Sequence, residues 1–117
     1  MQTKANRTIE AYKIAGADFR LYKDLGDRLL EDAGKLLTKK EQESLVKAMK
    51  QIRQICCACE DRMLSDHPDL PEDYATVFFG SLKQDARNEV DSRVIELAKK
   101  QAETLFVNSS DPAGKDN

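Results

Sequence analysis

Apolar and small residues recur in alternating steps of three and four between Asn6 and Leu37: Tyr12, Ala15, Phe19, Tyr22, Gly26, Leu29, Ala33 and Leu36. Steps of that kind return to one side of an α-helix, so the pattern predicts a long amphipathic helix. At the usual rise per residue such a helix runs about 45 Å. Gly26 falls on the apolar seam, where a missing side chain lets a neighbour come close. A shorter second stripe, Ile14, Leu21 and Leu25, lies about 100° around the helix and predicts contact with more than one neighbour.

"TKKE" at 38–41 places Thr38 and Glu41 at capping-box spacing, each side chain positioned to satisfy an orphan backbone N–H of the other residue. It predicts a second helix starting near Lys39, with Gly34 and Lys35 ending the first. The second seam reads Leu45, Met49, Ile52, Cys56, Cys59 and Met63, widened by Ala48 and Ile55. It should stop near Ser65, because "SDHPDLP" carries two prolines among turn-favouring residues. Asp69 and Glu72 repeat the capping-box spacing, with Pro71 in the first turn of a third helical stretch. That stretch carries Tyr74, Val77, Phe78, Leu82, Ala86, Val90, Val94, Leu97, Leu105 and Phe106. Two readings are open: one long helix, or, slightly favoured, a break at Gly80 into a short helix and a long one, with Ser81 and Gln84 capping the second. Residues 108–117, polar and turn-rich, read as a disordered tail. The expectation is an all-α fold: one domain over residues 1–107, an antiparallel bundle of three long helices, the third either whole or split into a short and a long helix.

Composition agrees with this reading. Hydrophobic residues make up 40% and charged residues 34% of the 117-residue chain, which suits a charge-rich helical domain rather than a sheet or a disordered chain. The formal charge of -2 gives no general attraction to nucleic acid or to an anionic membrane. No run approaches the roughly 18 apolar residues of a membrane span. The start, "MQTKANRTIEAYK", lacks the apolar region of a signal peptide. A cytoplasmic protein with reduced thiols is expected, since three cysteines cannot all pair within one chain.

Those cysteines are the most chemical feature of the sequence. Cys56 and Cys59 have the C-x-x-C spacing of zinc and thiol-redox sites, with Cys57 between them and His67 as the only histidine. Both uses favour a loop or the first turn of a helix, whereas this pair falls deep in the second predicted helix. Cys56 and Cys59 also occupy seam positions that Met49, Ile52 and Met63 hold elsewhere, so packed core is the expectation for them. Cys57, on the flank of the seam, is left unexplained. His67, just before Pro68, reads as a turn residue at a helix C-terminus. The expected metal and cofactor complement is none, with Cys56, Cys57, Cys59 and His67 the candidates for an alternative metal or thiol sensor.

Other chemistries find little foothold. A single histidine removes the paired Glu-x-x-His motifs of di-iron bundles. The carboxylates of "LEDAG", "EDR" and "NEVD" are interspersed with Lys and Arg, as on a solvated face, not in a magnesium-binding set. No Gly-rich phosphate loop or nucleophile motif occurs, and an enzyme is not expected. Charge is segregated along the chain: residues 38–55 hold five bases (Lys39, Lys40, Lys47, Lys50, Arg53) against two acids, and residues 60–73 hold six acids against Arg62. The basic stripe supports an alternative as a nucleic-acid-associated regulator, though no helix–turn–helix pair accompanies it. The leading expectation is a small non-enzymatic regulatory protein, an adaptor, immunity or antitoxin-like factor, that binds another protein through a helical surface. Ile14, Leu21, Leu25, Phe78 and Phe79 are its candidate interface, and a homodimer is expected to cover the second stripe of the first helix.

Overall fold

A computed structural model describes residues 6–107 of the chain, and the expected tail lies outside the described residues. Among the described residues three α-helices form: α1 over Ile9–Gly34, α2 over Lys39–Asp66 and α3 over Glu89–Thr104, with a 3-10 turn over Glu72–Thr76. Each helix start has a side-chain cap. Thr8 Oγ1 accepts from the Ala11 N–H at 3.1 Å, and the Asn88 side chain accepts from the Asp91 N–H at 2.8 Å. At α2 the reciprocal capping box is present, with Thr38 accepting from the Glu41 N–H at 3.1 Å and Glu41 from the Thr38 N–H at 2.9 Å. The fold is an all-α three-helix bundle. No helix among the described residues is long and apolar enough to cross a membrane.

α1 and α2 form an antiparallel hairpin. The Gln42 amide donates to the Gly34 carbonyl at its closed end, and Tyr12 Oη donates to Asp66 Oδ2 at its open end. α3 then returns alongside α1, level with it: Arg93 bonds Glu10 at 2.7 Å and Gln101 bonds Asp18 at 3.1 Å, both pairs 83 residues apart. In that register Thr104, where α3 ends, lies beside Leu21. α1 is therefore the central helix, with α2, α3 and the 72–80 segment each covering a different side. Among the described residues, its half beyond Leu21 runs on beside α2 past the end of α3.

This arrangement explains what becomes of the second stripe. Ile14 and Leu21 pack against the core within one chain, which contains α3 residues Val94, Leu97 and Ala98. Leu25, one turn past the end of α3, is 65% exposed. The stripe is thus covered mainly by the chain itself. On α2 the expected seam holds without its widening: Cys56 and Met63 are buried and Leu45, Met49, Ile52 and Cys59 half-buried, whereas Ala48 and Ile55 are exposed.

The third helical stretch differs from expectation. The break is not a point at Gly80 but a long irregular segment between the 3-10 turn and Glu89, so Leu82 and Ala86 lie outside any helix. Ser81 does not cap a helix: its Oγ accepts from the Lys83 N–H at 3.0 Å in a local turn. Nor does Asp69 cap the 3-10 turn, whose N-cap position is Pro71. Arg20 ties the segment to α1: Nε donates to the Val77 carbonyl at 3.1 Å, taking an acceptor that a continuing helix would use, and Nη2 donates to the Thr76 carbonyl, which also keeps its helical bond from the Gly80 N–H at 3.0 Å.

Two glycines admit this segment. A Cβ on Gly16 would lie 2.6 Å from the Val77 carbonyl oxygen, and one on Gly80 would lie 2.5 Å from Cζ of Arg20. The segment sits flat on α1, and the Arg20 guanidinium lies flat on Gly80. Phe78 is carried inward by this contact. It is only 2% exposed and meets Phe19 and Tyr12 edge-on, with ring centroids 5.9 and 6.4 Å away. Phe78 was expected at a protein-facing surface, and its burial corrects that expectation.

Arg20 itself is the most consequential residue that pattern reading passes over. It is 1% exposed and pairs with Asp91, 2% exposed, at 2.6 Å. One guanidinium thereby ties α1 to both α3 and the 72–80 segment. Its Nη1 is buried with no hydrogen-bond partner among the described residues. Burial pushes the Asp91 carboxyl pKa upward, but the Arg87 N–H at 3.1 Å and the Arg20 guanidinium outweigh burial and hold it below its ordinary value. At the other end of the hairpin, Arg7 grips Asp66 through Nε at 2.6 Å, beside the Tyr12 hydroxyl on the same carboxylate.

Candidate functional site

Where the 72–80 segment stops, the channel between α1 and α2 continues uncovered. It is a groove of about 540 Å³. Phe19, Tyr22 and Leu30 form the α1 wall, and Val46, Met49 and Ile52 form the α2 wall. Phe78, Phe79 and Cys56 close the upper end. The groove exists because of a length mismatch: α1 and α2 are 26 and 28 residues long, but α3, at 16, covers α1 only as far as Leu21. A shallower hollow around Leu30, Gly34 and Val46 carries it on toward the hairpin turn. The volume and apolar walls suit a binding site.

The rim is cationic. Lys23, Lys50 and Arg53 border the groove against Asp27, and Lys35, Lys39 and Lys47 border the hollow against Glu31 and Glu43. Six bases face three acids here, in a chain whose formal charge is -2. Among the described residues, none of these six bases is ion-paired; the ion pairs that form use Arg7, Arg20, Arg87 and Arg93. Their charge is left facing solvent and the groove mouth.

The cysteines diverge. Cys56 is buried, and its Sγ–H points at the Phe78 carbonyl, 3.7 Å away; Cys57 is exposed and Cys59 half-buried. Burial first, and then neighbouring Cys57, Cys59 and Glu60, push the Cys56 thiol up to about 11. Burial also raises Cys59. A thiol held so high is protonated at neutral pH and a poor nucleophile there. His67 stands apart at the end of α2, its Nε2 3.0 Å from the Arg7 carbonyl and its ring edge-on to Tyr12. Among the described residues no group of three or more His, Cys, Asp or Glu is placed to hold a metal ion.

Of the candidate interface residues, the structure leaves only Leu25 and Phe79 substantially exposed, and Phe79, at 38%, stands at the groove's end. Of the basic stripe, Lys39, Lys47, Lys50 and Arg53 border the groove or its hollow, and Lys40 does not. The groove walls Tyr22, Leu30 and Val46 were not singled out as a site. Leu30 and Val46 stand next to seam residues Leu29 and Leu45 in sequence, and nothing local marks them as partners across a hairpin. The chain matches no protein-family model, no curated protein and no solved structure.

Proposed function

We propose that this protein is a non-enzymatic binding module that docks another protein in the groove between the far halves of α1 and α2. One observation carries the reading: an apolar channel, filled by the chain's own Val77–Phe79 in its upper half, is left open below Phe79. Exposed apolar surface of this concave kind is kept where something binds it. The groove offers contact surface, with one carboxylate, Asp27, and one protonated, buried thiol in its lining.

Affinity capture from the native cell tests the reading by comparison. Tyr22→Asp and Val46→Asp place a charge in the groove at positions already open to solvent, and Leu64→Asp places one on the exposed outer side of α2. A partner held by the wild type and by Leu64→Asp, and lost from both groove variants, supports the groove. Identical capture by all four proteins refutes it.

A further inference from the structure

We infer that the groove's occupant is an amphipathic helix of another protein whose apolar ridge is flanked by acidic residues. This rests on the docking reading above. Both walls are helices whose backbone groups are already bonded within themselves, so neither offers an edge to an extended peptide. A strand laid here would bury unpaired N–H and C=O groups, whereas a helix arrives with its own satisfied. From Phe19 to Leu30 the α1 wall runs about 16 Å, three turns, matching the span over which i, i+3 or i+4, and i+7 side chains anchor a helix in a groove. Such a helix would take the third position beside the hairpin that α3, on another side of α1, leaves empty.

The charge identifies its flanks. Lys23 stands on one lip and Lys50 and Arg53 on the other, with Lys47 and Lys39 farther along α2, and none is neutralised within the described residues. Carboxylates on both sides of the apolar ridge would meet them. A second copy of this chain fits less well, because two identical grooves placed face to face bring cationic rims together. Nucleic acid fits less well too: Val46, Met49 and Ile52 offer phosphates nothing, and Asp27 and Glu43 repel them.

The test is a displayed library of helical peptides about 18 residues long, roughly five turns. Leu or Phe stand at the ridge positions, and Glu, Lys or Gln are randomised at the flanks. It is selected on the wild type and depleted on the Tyr22→Asp/Val46→Asp double variant, whose fold is checked by circular dichroism. The expected result is enrichment of Glu at the flanks. A resynthesised Glu peptide should bind about tenfold or more tighter than its Lys twin at low salt, with the preference reversed on Lys50→Glu/Arg53→Glu. Enrichment without charge preference, or toward Lys, overturns the acidic helix and leaves the docking groove standing. No enrichment over the groove variant overturns both, as does binding of mixed-sequence duplex DNA that Lys50→Glu/Arg53→Glu abolishes while no peptide binds. A dimer in sedimentation that Val46→Asp separates makes the occupant a second copy and overturns the inference.

Discussion

Asp91→Asn removes one charge from a pair sealed in the interior while keeping nearly the same shape. Arg20 and Asp91 are 1% and 2% exposed and 2.6 Å apart, so water cannot take over as the counter-charge. The asparagine oxygen can still accept from Nη2, but the guanidinium is left buried with a full charge, one nitrogen already without a partner, and only neutral acceptors around it. Breaking a buried pair in this way costs about 3–5 kcal/mol, and the retained acceptor points to the lower end. Against a total stability of about 5–15 kcal/mol the variant should still fold at 25 °C. Urea unfolding followed by circular dichroism should show the midpoint falling by about 1.5 M for an m-value near 2 kcal/mol/M. The pH dependence supplies a second reading. Asp91 titrates below its ordinary 3.8 in the folded chain, so its contribution is present above that value and is lost as the pH falls from there through the folded pKa. The wild type should lose this increment on acidification, and Asp91→Asn should not. A midpoint unchanged at neutral pH, together with an unchanged acid limb, would refute the view that this pair anchors α3. Arg20→Met/Asp91→Leu should recover only part of the loss, because removing both charges still takes the donor from the Val77 carbonyl and the acceptor from the Arg87 N–H.

Two further predictions follow from packing and burial. Gly16→Ala and Gly34→Ala should move the melting temperature in opposite directions. At Gly16 the new methyl meets the Val77 backbone 2.6 Å away and overpacking of about 1–3 kcal/mol exceeds the helix-propensity gain, whereas at Gly34 nothing lies within 4 Å and the gain of up to about 1 kcal/mol stands alone. In a timed maleimide reaction followed by peptide mapping, Cys57 should label first and Cys56 last. Raising the pH toward 11 should narrow the gap, and equal rates for the two at neutral pH would contradict the placement of Cys56 against Phe78.

The parts of this protein visible in its sequence are those governed by interactions within a few residues. Helical periodicity, the Thr38–Glu41 capping box and the two prolines after Ser65 locate α1 and α2 closely, because caps and amphipathic faces are local devices. The α2 seam was readable, cysteines included, because α2 presents a single face to its neighbours. α1 was harder, since three elements surround it and its buried side chains do not form one stripe; Arg20 lies among them. The start of α3 was hidden for a related reason. Asn88 and Asp91 read as ordinary surface polar residues until Arg20, 71 positions away, gives Asp91 its counter-charge. The groove belongs wholly to tertiary structure. It arises where α3 ends level with Leu21 and the 72–80 segment turns away at Phe79, and only the docking of both onto α1 decides which apolar side chains are left without a cover.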